Sequence, residues 1–145
     1  MSWDFSLFDA PVGLKSNELP QDFRPRLFAR DQLISTIKQA FPNVDFRDSS
    51  WGFIEGIGWS IEVNIGSEEM THGFMLHVRG GGDVIAAVLR IADATGLRAL
   101  DCQTGDFVDK STAEAANASF RAWRNYRDQI VGRRGFWTRV RAWFS

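Results

Sequence analysis

Apolar and polar residues alternate in several segments of the chain, and a period of two predicts strands with one buried face. The clearest segments are WDFSLF at 3–8, WSIEVNIG at 59–66 and THGFMLHVR at 71–79. WGFIEGI at 51–57 predicts a strand near an edge or bulge because glycines interrupt it, and LRALDCQTGDFVD at 97–109 predicts a strand, a turn and a short return strand. Since short links join the segments between 51 and 79, we expect antiparallel hairpins there.

Helical periodicity appears in two segments between these strands. ARDQLISTIKQAF at 29–41 has its apolar residues on one face, and Pro42 predicts its end. DVIAAVLRIADATG at 83–96 has a wider apolar stripe, and Gly96 is placed to end that helix. Residues 9–28 contain three of the four prolines and show no period, which predicts a long irregular connection.

This order of elements predicts an α+β fold, in which a mainly antiparallel sheet is packed by helices on one face. A ferredoxin-like core is expected, followed by a helical C-terminal extension. The 145 residues fit a single domain, with an α+β core over 1–110 and helices over 111–145. The last of these helices is a short amphipathic one over 133–145.

Composition excludes several classes of protein. Hydrophobic residues at 44% and charged residues at 24% are ordinary for a soluble globular chain. Cys102 is the single cysteine, which excludes an intrachain disulfide and a cysteine zinc cluster, and we expect it in the core. The N-terminal segment lacks the basic start and apolar run of a secretion signal, and no segment reaches the ~20 apolar residues of a membrane span. These features predict a cytoplasmic protein.

Charge is divided unevenly along the chain. Residues 1–120 contain 10 Lys and Arg against 17 Asp and Glu, a net charge of −7, whereas residues 121–145 contain seven Arg against Asp128, a net charge of +6; together these give −1. Either the basic end packs on its own acidic domain, or one of the two ends faces a charged partner.

A run of three glycines, Gly80 to Gly82, lies between a predicted strand and a predicted helix in HVRGGGDVIAAVL. A phosphate loop needs backbone N–H groups aimed at an anion, together with the GK[ST] or G-x-G-x-x-G pattern. Neither pattern is present, and the carboxylate of Asp83 is expected to cap the helix and repel an anion. We therefore interpret the glycines as a structural turn.

Polar residues on two predicted strands form the second candidate site. If 59–66 pairs with 71–79 in the antiparallel sense, Glu62 and Asn64 share a face with His77 and Arg79. This group has the chemistry for acid–base work or for binding a small anion. The same residues are also typical of a solvated face with cross-strand ion pairs, or of a polar contact surface for another protein.

Neither metal nor covalent chemistry is indicated elsewhere. His72 and His77 are five residues apart on one strand, so they point to opposite faces and cannot share an ion. There is no G-x-S-x-G pattern for a nucleophilic serine. We predict no catalytic residue, no metal and no cofactor.

Arginine and aromatic residues interleave in the segment FRAWRNYRDQIVGRRGFWTRVRAWF near the C-terminus. Such a segment can pack on its own domain, bind a protein partner, or bind a membrane or nucleic acid. The acidic body disfavours a nucleic acid or an anionic membrane as the partner of the whole chain.

Four segments carry a resemblance to a known group of proteins: WGFIEGIGWSIEVNIG, FMLHVRGGGD, LRALDCQTGDF and SFRAWRNYRD. They resemble small bacterial proteins, over about residues 50–128, some of which are similar to immunity proteins that neutralise the toxins of competing bacteria. The resemblance implies a one-domain, cofactor-free cytoplasmic binder and assigns no catalytic residue. The basic C-terminal segment departs from it.

The sequence favours a non-enzymatic protein-binding domain, most consistent with an immunity-type inhibitor of a toxin. Its partner is then another protein, such as a basic toxin domain, rather than a metal, a membrane or a nucleic acid. The alternatives are a small enzyme or ligand-binding domain that uses the polar strand face, and a membrane or nucleic-acid binder that uses the basic end. The residues predicted to contact the partner are Glu55, Glu62, Glu68, Glu69, His77, Arg79, Asp101 and Asp106.

Overall fold

A computed structural model describes residues 2–118 and 121–122. Its elements in chain order are β1 (Trp3–Phe8), a 3-10 turn (Ser16–Glu18), β2 (Phe28–Ala29), α1 (Arg30–Ala40), β3 (Asp45–Asp48), β4 (Trp51–Gly56), β5 (Trp59–Asn64), β6 (Met70–Thr71), β7 (Gly73–Gly80), α2 (Val84–Thr95), β8 (Arg98–Asp101) and β9 (Phe107–Val108). Residues 113–118 are helical as well.

Seven strands form the main sheet, in the order β3-β4-β5-β7-β1-β8-β9, and all neighbouring strands are antiparallel. β2 and β6 pair in a separate two-stranded ribbon. The prediction of an α+β fold with a mainly antiparallel sheet is confirmed. The predicted hairpins are confirmed too, because β4 pairs with β5 and β5 pairs with β7.

Alternate residues of each strand build the core on one face of the sheet. On β1, the buried residues are Trp3, Phe5 and Leu7, and the residues between them are only partly covered. α1 and α2 pack their apolar sides on this face and contact each other. Burying each large apolar side chain contributes about 1.5–3 kcal/mol, so this layer supplies most of the driving force for folding. Its helical members are Leu33, Ile34, Ile37, Val84, Ile85, Val88 and Ile91.

The end of α2 lies where the sequence predicts it. Gly96 adopts the left-handed conformation with φ +70°, and its N–H bonds to the carbonyl groups of Ala92 and Asp93. The N–H of Leu97 also bonds to Ala92, at 3.1 Å. Glycine suits this position because a Cβ would strain a residue at positive φ.

The triple-glycine segment turns the chain from β7 into α2. Gly80 has φ +96° and Gly82 has φ +60°. A Cβ on Gly80 would collide with the carbonyl oxygen of Gly58, and the N–H of Gly81 donates to that same oxygen at 2.9 Å. The predicted cap on α2 is wrong in its mechanism: Asp83 occupies the N-cap position, but its side chain makes no capping hydrogen bond.

Three short strands were not predicted. β3 forms one edge of the sheet and pairs with β4 through an irregular register between Asp45 and Asp48. β2 and β6 have two residues each, too few for a period to show. The connection between β1 and β2 folds over one end of the sheet, where Arg98 donates to the carbonyl groups of Pro11 and Leu14.

The predicted C-terminal helices lie mostly outside the described residues. Residues 113–118 are helical after Thr112, whose carbonyl accepts from the N–H of Ala116 at 3.0 Å, and the rest of the predicted extension stays a prediction. The amphipathic helix predicted over 133–145 lies outside the described part of the chain. No helix within the described residues is long and apolar enough to cross a membrane.

Candidate functional site

The sheet has a second face, turned away from α1 and α2, which we call the open face. It carries the alternate strand residues that do not enter the core. These residues are mostly half-buried or exposed and combine aromatic, polar and charged side chains. The members that concern the site are Asp4, Ser6, Trp51, Phe53, Glu55, Ser60, Glu62, Asn64, Met75, His77 and Arg79.

One row of the open face runs straight across four strands. Asp4 on β1 lies opposite His77 on β7, His77 lies opposite Glu62 on β5, and Glu62 lies opposite Phe53 on β4. The predicted antiparallel pairing of β5 with β7 is therefore confirmed, and it brings Glu62, His77 and Arg79 together. Asp4 and Phe53 were not predicted as members of this group.

His77 is held in place by two neighbours. Its Nδ1 lies 2.9 Å from Oδ1 of Asp4, which also accepts from the hydroxyl of Ser2 at 2.6 Å. The ring of Trp51 stacks on the imidazole, with centroids 5.6 Å apart and planes 14° from parallel. The imidazole is 22% exposed. A carboxylate that orients an imidazole in this way is an arrangement used in general acid–base chemistry.

Glu62 forms an ion pair with Arg79. Nη1 of Arg79 lies 2.9 Å from Oε1 of Glu62, and both side chains are partly exposed. Ion pairs at such sites contribute about 0–1 kcal/mol because water competes for both charges. The carboxylate of Glu62 is therefore paired with Arg79, but the pair is weak enough for Glu62 to exchange this partner for another cation.

Cys102 lies beside this row, immediately after β8. Its backbone N–H donates to the carbonyl oxygen of Asp4 at 3.0 Å. The prediction that Cys102 belongs to the core is wrong, because the residue is exposed. Partial burial of the sulfur, together with the negative charges of Asp4 and Asp101, raises the pKa of the Cys102 thiol. The thiol is therefore protonated near neutral pH and is a poor nucleophile.

Asp101 differs from the other predicted contact residues, because its side chain lies on the helix-covered face. It is 3% exposed. Its carboxylate accepts from the backbone N–H of Gln103 at 2.8 Å, and the Trp3 indole and Thr104 also donate to it. Burial raises the pKa of Asp101, although these hydrogen bonds oppose the change. The burial of its side chain does not fit the predicted contact with a partner. Asp101 is two residues from the buried Ala99 and so lies on the same face of β8, which is the signal in the sequence.

The remaining predicted acids fall in three places. Glu55 lies on the open face of β4 and is exposed. Glu68 and Glu69 are exposed in the loop between β5 and β6. Asp106 is exposed in the turn between β8 and β9, where it lines a cleft of about 870 Å³. The sequence grouped these residues by charge, but only Glu55 shares the open face with Glu62.

A cleft of about 610 Å³ adjoins the open face, between the sheet and the connection that precedes α1. We call it the open-face cleft. The ring of Phe8 lies 6.3 Å from that of Phe23, and Nδ1 of His72 lies 2.7 Å from the carbonyl oxygen of Pro25, which ties the connection to the sheet. The residues that line the cleft include Ser6, Phe8, Leu19, Phe23, Asn64 and Met75.

Two aromatic residues of the open face were not predicted as site residues. Trp51 is 39% exposed and Phe53 is 38% exposed. Together with Glu55 they are alternate residues of WGFIEGI, so the period of two carried the signal. Gly52 lies between the two residues in sequence and Gly56 follows Glu55, and these glycines drew attention to an edge or bulge rather than to the aromatic residues of the predicted strand.

No group of three or more His, Cys, Asp or Glu side chains that could hold a metal ion occurs in residues 2–118 and 121–122. The interpretations that depended on the basic C-terminal segment concern residues outside the described part of the chain, apart from Arg121 and Ala122.

Comparison with known proteins found no matching family model, no matching curated protein and no matching solved structure. The function is therefore inferred from the chemistry and geometry of the open face.

Proposed function

We propose that this chain is a non-enzymatic, cytoplasmic protein-binding domain, an immunity-type inhibitor of a basic bacterial toxin domain. The observation that carries the proposal is the open face itself. It combines exposed aromatic rings with carboxylates, and its charged groups are paired with one another.

The residue types of the open face support a protein partner. Interfaces are enriched in aromatic residues, Met and Arg, with polar groups that exchange partners on binding. Trp51, Phe53, Met75 and Arg79 provide these residue types on one surface. Exposed apolar patches that are rimmed by polar residues mark interaction sites.

The charge of the chain supports a basic partner. Residues 1–120 carry 10 Lys and Arg against 17 Asp and Glu. On β1, β4, β5 and β7 the open face holds the carboxylates of Asp4, Glu55 and Glu62 against the guanidinium of Arg79. Such a distribution speeds the encounter with a positively charged protein more than it raises the final affinity.

We also propose that the core is ferredoxin-like. The elements β1-α1-β5-β7-α2-β8 follow one another in a β-α-β-β-α-β order, and their strands lie in the lateral order β5-β7-β1-β8. In this interpretation β3 and β4 extend one edge of the core and β9 extends the other. The fold by itself assigns no activity.

Co-expression tests the proposed function. The chain is produced together with the toxin-like product of the adjacent gene, and growth is compared with that of cells producing the toxin-like protein alone. We expect growth to be restored and the two proteins to co-purify as a defined complex. Unchanged growth inhibition, with the chain present at normal levels, would reject the immunity function.

A second candidate function is an enzyme or ligand-binding domain that uses Glu62, His77 and Arg79. The hydrogen bond between His77 and Asp4 favours it, because it orients the imidazole as a base. The discriminating variant is His77→Gln. An enzyme would lose most of its activity with this variant because the base is gone, whereas an inhibitor that uses His77 only as a contact would lose part of its affinity and still protect cells from the toxin.

A further inference from the structure

We infer that the open face, together with the open-face cleft, binds an extended basic segment of the partner protein, in which an arginine and an apolar residue are two positions apart. This inference rests on the proposed function and specifies the partner's chemistry. The arginine lies at the row that contains Glu62, and the apolar side chain enters the open-face cleft.

The row provides the site for an arginine. Phe53 lies directly opposite Glu62, and Trp51 is the alternate residue before Phe53 on the same strand. A guanidinium bonds to a carboxylate in a bidentate manner and stacks on aromatic faces, whereas an ammonium group does neither as well. Arg79 already occupies this carboxylate from within the chain, and its partly exposed ion pair exchanges at little cost.

The open-face cleft provides the site for the apolar residue. Phe8, Leu19, Phe23 and Met75 line it with apolar surface, and Ser6 and Asn64 add polar groups at the sheet. A volume of about 610 Å³ exceeds that of one aromatic side chain, so a Phe or Leu of the partner fits without displacing the connection.

The spacing between the two sites follows from the strand registers. On each of three strands the cleft-lining residue is two positions from the row: Ser6 from Asp4, Asn64 from Glu62, and Met75 from His77. Two residues of a strand span about 7 Å. An extended partner segment has the same distance between side chains at positions i and i+2, so an Arg-x-apolar pattern reaches both sites from one side of its backbone.

Charge selects a basic segment over the other occupants. On the four strands that form the row, β1, β4, β5 and β7, the open face holds three carboxylates, those of Asp4, Glu55 and Glu62, against the one guanidinium of Arg79. An acidic peptide would meet repulsion here, and the open face of a second copy of the chain would bring the same excess of carboxylates to the contact.

The test is a titration of the full chain, followed by amide NMR, with the capped peptide Ac-Gly-Arg-Ser-Phe-Gly-NH2. Two matched peptides serve as controls: Ac-Gly-Arg-Phe-Ser-Gly-NH2, in which the two side chains point to opposite sides, and Ac-Gly-Glu-Ser-Phe-Gly-NH2. We expect the first peptide to shift amides of β5 and β7 and to bind about three- to tenfold more tightly than the reordered one. The acidic peptide should not bind.

Glu62→Gln should weaken the binding of the first peptide by about three- to tenfold, since it removes the charged acceptor of the guanidinium. Asp93→Asn is the matched control, because Asp93 is an exposed acid on α2 in the helix layer. Equal affinity in Glu62→Gln, equal affinity for the reordered peptide, shifts confined to other surfaces, or no binding at all would each overturn the inference.

The outcome also separates this inference from the proposed function. If co-expression protects cells equally well with the double variant Glu62→Gln/Trp51→Ala, the immunity function stands and this surface is rejected. If the peptide binds as expected but the wild-type chain gives no protection, the surface stands and the immunity function is rejected.

Discussion

The two faces of the main sheet are built from the same strands, yet they differ in almost every physical property. On β1 the residues Trp3, Phe5 and Leu7 are buried under the helices, whereas Asp4 and Ser6 on the other side remain partly exposed. The covered face is continuous apolar packing, and the open face is a mosaic of aromatic, acidic and basic side chains. The covered face therefore sets the stability of the fold, whereas the side chains of the open face stay partly exposed in the described part of the chain.

Two carboxylates show the same difference at close range. Asp101 lies on the covered face, where burial raises its pKa in spite of several hydrogen bonds. Asp4, on the neighbouring strand, lies on the open face and bonds to Ser2 and His77. An aspartate side chain is thus costly to ionise on the covered face, whereas on the open face it provides a polar contact.

The largest expected contrast comes from β1. Phe5→Ala removes a fully buried ring from the covered face and should lower the free energy of unfolding by about 3–5 kcal/mol. Ser6→Ala, on the open face of the same strand, should change it by no more than about 0.5 kcal/mol. Urea unfolding of both variants measures the difference, and similar losses would contradict the division of roles between the faces.

The turn that carries the chain from the sheet to the helix layer should be the next most sensitive point. Gly80→Ala places a Cβ against the Gly58 carbonyl and strains a residue at positive φ, so we expect a loss of about 2–4 kcal/mol. Gly58→Ala is the control: it has positive φ but no heavy atom within 4 Å of the added Cβ, and it should lose only about 1–2 kcal/mol. Equal losses would show that the close approach at Gly80 does not matter.

A pH series isolates the buried carboxylate of Asp101. Because its pKa is raised in the folded chain from 3.8, the folded state keeps the proton to higher pH than the unfolded chain does. The contribution of Asp101 to the free energy of unfolding therefore falls as pH rises from about 3.8 to the raised pKa, with a slope of at most about 1.4 kcal/mol per pH unit. Asp101→Asn lacks this titration, so it should gain stability relative to wild type as pH rises through that window. A constant difference in urea unfolding from about pH 3.5 to about pH 7 would contradict this.

The smallest expected effect concerns the thiol beside the open face. Cys102 is exposed, yet its raised pKa should make alkylation by iodoacetamide at about pH 8 slower than that of the unfolded chain. Asp4→Asn removes one of the negative charges that raise this pKa and should increase the rate about two- to threefold. Asp93→Asn should leave the rate unchanged, and an equal rate for Asp4→Asn and wild type would show that the carboxylate of Asp4 does not act on the thiol.

The period of two and the period of 3.6 were enough to predict the long elements. β1, β5, β7, α1 and α2 all appear where alternation or an apolar stripe is continuous, since each period reflects one buried face. The pairing of β5 with β7 also followed, because a short loop allows only an antiparallel hairpin.

The rest of the site depends on contacts between residues distant in sequence. Asp4 and His77 are 73 residues apart, and β1 is inserted between β7 and β8, a neighbour relation that no local pattern specifies. The open-face cleft is formed by the connection after β1, which has no period at all. Asp101 was placed among the contact residues on its charge, although it is two residues from Ala99 on the same strand and so shares the covered face with it.

The outer edge strand, β3, has a consequence for how the protein associates. Its four residues DFRD are mostly charged, and its register with β4 is irregular, so its free backbone groups make a poor template for a strand from another molecule. Edge-to-edge association of sheets is therefore disfavoured at β3. Trp51 and Phe53, on the neighbouring strand, are thus exposed next to an edge that does not favour the addition of a further strand.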